Sequence, residues 1–133
     1  MKSRDTKPEM ILREQFRRHG IQFDTHVRTL PGTPDVVLKS SQVAIFVNGC
    51  HWHRHFNCSS VSRSRRTSDY WLLRFAQVSA LDSRNALKLH LLGWTALTVW
   101  ECDLKLHPAR EFRRVAEVIA EIEEAGQRQS LVL

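Results

Sequence analysis

The chain has 133 residues, 42% hydrophobic and 26% charged, which fits one compact globular domain and excludes two domains or a chain without a core. It holds no run of roughly 18 apolar residues, and Met-Lys-Ser-Arg-Asp at the start lacks the apolar stretch of a signal peptide. The expectation is therefore a soluble, cytoplasmic protein with no membrane partner. Net charge is +6, with 16 Lys+Arg against 9 Asp+Glu over residues 1–109 and 4 against 5 over 110–133. The positive field thus lies where the unusual residues are, and it can attract a polyanion such as nucleic acid.

Residues 6–19 read as a helix: Thr6 and Glu9 match a T-x-x-E capping box, Pro8 sits in the first turn and Gly20 can end it. Leu12 and Phe16 form the expected buried stripe, and Glu9 shares that face. A strand is expected from Phe23 to Val27, then the breaker Pro31-Gly32-Thr33-Pro34, then a second strand opened by Asp35. The run Val43 to Val47 is apolar without alternation, as in a central strand covered on both faces, and stops at Asn48-Gly49. Residues 59–68, with five serines and Arg63, Arg65 and Arg66, read as a polar connection. A long helix from Ser68 or Asp69 to about Leu92, a strand from Thr95 to Trp100 and a final helix after Pro108 complete an α-β-β-β-α-β-α order. One domain over 1–126 with a frayed tail over 127–133 is expected, an α/β fold with a mixed sheet.

Three cysteines cannot pair completely, and histidines 51, 53 and 55 fall between Cys50 and Cys58. Cys50, His55, Cys58 and Cys102 make a C-x4-H-x2-C loop plus a distant fourth ligand, a donor set that suits structural zinc. The alternative is that Cys50 and Cys102 are buried small apolar residues and Cys58 a loop thiol. His51 or His53 can also replace His55, because a loop does not fix which ring turns inward. Asp35, a carboxylate at the mouth of a strand, offers with a neighbouring backbone carbonyl a partial Mg²⁺ site, or else it caps a turn. Glu9 serves the capping box or reaches a site at the sheet top. His53 is suited to take a proton from an attacking water near pH 7, or it is a zinc ligand or a solvated loop residue.

The ordered pieces R-D-T-x-x-E (Arg4 to Glu9), L-P-G-x-P-D (Leu30 to Asp35), I-F-V-x-G-C-x-W-H-x-H (Ile45 to His55), Tyr70-Trp71, L-G-W (Leu92 to Trp94) and V-W-E-C (Val99 to Cys102) resemble the very-short-patch repair (Vsr) endonucleases. The resemblance covers about residues 4 to 103. It implies a restriction-endonuclease-like fold of the PD-(D/E)XK type, with a mixed sheet flanked by helices and a structural zinc site. The implied activity is Mg²⁺-dependent nicking of one DNA strand beside a T:G mismatch.

Carried over by position, Asp35 resembles the metal-binding carboxylate, the Val47 carbonyl a Mg²⁺ ligand, His53 the histidine acting on water and Glu9 the supporting glutamate. Cys50, His55, Cys58 and Cys102 resemble the Zn²⁺ ligands, and Trp52 and Trp71 the aromatic residues that wedge into DNA. Asn48 stands where a histidine assisting at the phosphate is typical, His51 replaces a wedge phenylalanine, and Val78 takes a commonly polar position, whereas Asp82 is kept. The stretch before Arg4 is shorter than the family's DNA-embracing arm, so a preserved nuclease core with a drifted mismatch-reading surface is expected.

The expected partner is mismatched double-stranded DNA, bound by a nucleoid-associated monomer that can meet other repair proteins, with Arg63, Arg65 and Arg66 on phosphates. Two other readings stay open: a mismatch-independent nuclease of the same fold linked to restriction, and a catalytically inactive zinc-stabilised DNA-binding module. A ββα-metal nuclease fits poorly, since it leaves Asp35 and Cys102 without a role.

Overall fold

The structure is a computed structural model that describes residues 5–50 and 69–132, with side chains over 5–50 and 72–126. Helix α1 (Lys7–Arg18) leads into β1 (Asp24–Thr25), β2 (Val36–Leu38) and β3 (Val43–Asn48). Helix α2 (Asp69–Leu91) crosses to β4 (Thr95–Trp100), followed by α3 (Glu101–Leu106) and α4 (Pro108–Val132). The strands form one sheet in the order β1-β2-β3-β4. Pairing is antiparallel for β1–β2 and β2–β3 and parallel for β3–β4, which is why a crossover helix lies between β3 and β4. The mixed α/β architecture expected from the sequence is present.

The apolar run of β3 is buried along nearly its whole length because helices cover both faces of the sheet. On one face, Val36, Leu38, Val43, Ile45, Val47 and Val99 pack with Leu12 and Phe16 of α1, Leu104 of α3, and Phe112, Val115 and Ile119 of α4. The Phe16 ring lies 5.9 Å from that of Phe23 and 5.7 Å, edge-on, from that of Phe112. Burying an aromatic ring of this kind contributes about 3 kcal/mol or more. The opposite face turns to α2, where Phe46 and Asn85 both crowd the Gly32 backbone.

Two local features differ from the sequence reading. Strand β1 is two residues long, because His26 turns into the left-handed region (φ 48°) and ends the ladder. A six-residue helix, α3, stands between β4 and α4; it is too short to show a periodic pattern. Helical backbone of α4 continues to Val132. Among the described residues, no helix is long and apolar enough to cross a membrane.

Candidate active site

The site is assembled from the start of α1, the Pro-Gly turn ahead of β2 and the C-terminal ends of β3 and β4. Thr6 caps α1 by accepting the Glu9 N–H at 3.5 Å, which sets Glu9 inside the first turn at 1% exposure. In a complete capping box the glutamate would return to the cap residue's own amide. Here Glu9 Oε2 accepts the Asp5 N–H at 3.0 Å, one residue earlier.

One helical turn on, Arg13 is buried and its guanidinium reaches Asp5, Glu9 and His26, with Met10 Sδ accepting from Nη1 at 3.4 Å as well. Its Nη1 donates to Asp5 Oδ1 at 2.7 Å and its Nη2 to Glu9 Oε2 at 3.2 Å, while Nη2 also stands 3.0 Å from His26 Nε2. The same His26 Nε2 lies 3.4 Å from Asp5 Oδ1 and 3.5 Å from Glu9 Oε2, so the ring stands among the guanidinium and both carboxylates. Its Nδ1 faces Asp35 Oδ1 at 4.0 Å. Burial first, and then the negative charge of Asp35, push the Glu9 carboxyl above its ordinary range, while His26, the Asp5 amide and Arg13 pull it back. The hydrogen bond from Arg13 holds the Asp5 carboxyl below its ordinary range.

Asp35 is fully buried at the start of β2. Its Oδ2 accepts the Val47 N–H at 2.7 Å, its own N–H donates to Ile45 O at 3.0 Å, and its carbonyl accepts the His26 N–H at 3.3 Å. The carboxylate is therefore fixed to β3 by side chain and backbone together. Val47 in turn lines a cavity of about 390 Å³ between the sheet and α2, whose wall also includes Glu9, Asn48, Asp82, Asn85 and Glu101. The rest of the wall is largely apolar, with Phe46, Val78 and Leu81, and the oxygen donors that these carboxylates and amides offer suit a hard divalent cation better than a soft one.

A second constellation lies beside it. The parallel register pairs Asn48 with Trp100, so Cys50 and Cys102 each follow the same rung by two residues. Cys50 is fully buried and Cys102 half-buried. Glu101 ties the two strand ends together, accepting the Cys50 N–H at 3.2 Å on Oε1 while Oε2 lies 3.5 Å from Lys105 Nζ.

The family model described as DNA mismatch endonuclease Vsr matches residues 1–60. The chain is 35% identical over 113 residues to the type II nicking enzyme V.XorIIP of Xanthomonas oryzae pv. oryzae, covering 85% of this chain and 82% of that one. It is 34% identical over 103 residues to the DNA mismatch endonuclease Vsr of Escherichia coli K12, covering 77% and 65%. This chain belongs to the Vsr family. The type II nicking enzyme V.NmeAIP of Neisseria meningitidis serogroup A is a further relative, 29% identical over 123 residues that cover 92% of this chain and 86% of that one.

In this Vsr-family protein the structure gathers Glu9, Asp35, Val47 and Asn48 around the end of β3, and Cys50 and Cys102 at the adjoining ends of β3 and β4. His51, Trp52, His53, His55, Cys58, Arg63, Arg65 and Arg66 lie outside the described residues. Trp71 falls within α2 by its backbone, and its side chain is outside the description as well. The structure adds Arg13, His26, Asn85 and Glu101, which sequence reasoning did not single out. A signal existed for Arg13: it follows the inward-facing Glu9 by four residues, the spacing at which helical side chains meet. His26 carried none, since its placement depends on a left-handed backbone turn.

Proposed function

We propose that this Vsr-family protein is a Mg²⁺-dependent DNA endonuclease of restriction-endonuclease-like fold that nicks one strand beside a T:G mismatch. The observation that carries this reading is the Asp35 carboxylate locked onto the amide of Val47, a residue that lines the cavity together with Glu9 and Asn48, at 2.7 Å in a chain of this family. The donor set fits the metal: Asp35 and the Val47 carbonyl would hold Mg²⁺, with Glu9 in support. When bound, the ion polarises a phosphate oxygen and lowers the barrier to in-line attack. Asn48 can donate an amide hydrogen bond to the phosphate, and His53 is proposed to take the proton from the attacking water.

Structural Zn²⁺ is proposed on Cys50, His55, Cys58 and Cys102. The thiols of Cys50 and Cys102 suit it, and their places two residues past the Asn48–Trp100 rung support a clip between the ends of β3 and β4. His51, Trp52 and Trp71 are proposed to stack into mismatched duplex, and Arg63, Arg65 and Arg66 to contact phosphates.

The test compares labelled duplexes of identical sequence carrying T:G or C:G, with and without Mg²⁺, and maps any nick. Cutting confined to T:G with Mg²⁺ supports the reading, and equal cutting of both duplexes removes the mismatch from it. Duplex binding without any cleavage would leave only a DNA-binding module.

A further inference from the structure

We propose that Arg13 is a positioning residue of this site, its guanidinium fork fixing the Glu9 carboxylate and the His26 ring against Asp35. The proposal rests on the reading that Asp35 carries phosphodiester hydrolysis. Arg13 reaches three groups at once: Asp5 at 2.7 Å, Glu9 at 3.2 Å and His26 at 3.0 Å. Ligand atoms of those three residues lie within 4.8 Å of one another, a spacing that can surround a cation. The guanidinium already supplies that positive charge, so the cluster is closed by a fixed group of the protein itself.

Stability alone is a poor reason for this arrangement. Among the described residues the buried Nε of Arg13 has no acceptor. A buried ion pair with an unmatched donor serves a fold no better than packed apolar side chains of the same volume. His26, moreover, sits at φ 48°, a conformation that non-glycine residues rarely adopt and that clusters at functional sites. What the network does accomplish is orientation. Arg13 Nη2 stands 3.0 Å from Nε2 of the His26 ring, whose Nδ1 faces Asp35 across 4.0 Å, so the guanidinium sets where that ring lies. It also pins Glu9, whose carboxylate helps line the cavity.

The experiment measures single-turnover nicking and duplex affinity for wild type, Arg13→Met, Arg13→Lys and Asp35→Asn across a Mg²⁺ titration, at a temperature where circular dichroism shows each folded. Arg13→Met should slow the nicking step about 10- to 100-fold and raise the Mg²⁺ concentration needed for half-maximal rate, while duplex affinity stays within about twofold. Arg13→Lys should recover part of the rate, since a point charge keeps one contact but not the fork. A wild-type rate and Mg²⁺ requirement in Arg13→Met, whatever its melting temperature, would overturn the proposal. Should Arg13→Met not fold, a wild-type rate in Arg13→Lys overturns it equally. Undiminished nicking by Asp35→Asn would instead sink the underlying site reading, so the two failures are distinguishable.

Discussion

The Asp35 carboxylate accepts the backbone N–H of Val47 at 2.7 Å, so the residue proposed to hold the metal is anchored by the strand proposed to supply the second ligand. Replacing the carboxylate by an amide keeps its size but removes the charge a cation needs. Polarisation by a metal is worth several kcal/mol and each 1.36 kcal/mol is tenfold in rate, so Asp35→Asn should slow nicking by about a thousandfold. Filter binding should show duplex affinity retained. Nicking within tenfold of wild type would remove Asp35 from the mechanism.

Glu9 makes a pH prediction for stability. Its folded carboxyl is raised above the ordinary 4.5, chiefly by burial and then by Asp35. The folded chain therefore keeps a proton that the unfolded chain has already released, and this stabilisation is complete below pH 4.5 and lost as pH rises through the folded value. Glu9→Gln lacks that titration. The melting temperature of wild type minus that of Glu9→Gln should fall as pH is raised from 4.5 and then level off. A difference that grows over this range would contradict the assignment.

Gly32 links the turn before Asp35 to α2. Its φ is 79°, and an added Cβ would lie 2.9 Å from Asn85 Nδ2 and 3.0 Å from a Phe46 ring carbon. The backbone conformation alone costs alanine roughly 1–2 kcal/mol, and overpacking typically adds about 1–3 kcal/mol, moderated because Asn85 can yield. Urea denaturation of Gly32→Ala should show a loss of about 2–4 kcal/mol. An unchanged midpoint would mean that the turn can leave α2 freely.

Zinc is testable without substrate. Metal analysis should find one zinc per chain in wild type, and none in Cys102→Ser. If the site stabilises the fold by more than about 3 kcal/mol, the variant's melting temperature falls by about 10 °C for a chain of this size. Zinc-free wild-type protein with an unaltered melting temperature would refute the assignment.

Helix α1 and the central strand were legible because their signals are local. The cap at Thr6, Pro8 in the first turn and the stripe of Leu12 and Phe16 together specify a helix and its buried side. The unbroken apolar run of Val43 to Val47 specifies a strand with both faces covered. Asp35, Val47 and Asn48 could be named from motif order, but not their mutual arrangement, since that depends on how β2 and β3 pair. Arg13 and His26 were hidden for a different reason. An arginine on a helix usually reads as a solvated charge, and nothing in the letters around His26 announces a left-handed residue that folds its ring back toward α1. Helix α3 was hidden by brevity.

The pairing of β2 with β3, Val36 opposite Ile45 and Leu38 opposite Val43, has a use beyond holding the sheet together. Side chains alternate between faces with period two, so a slip of one residue would carry Asp35 to the other side of the strand and separate it from the Val47 amide. Catalysis and alignment are thereby one measurement. A library of insertions in the Lys39–Gln42 turn, screened only for nicking, would report which loop lengths preserve strand alignment, with no structural assay needed.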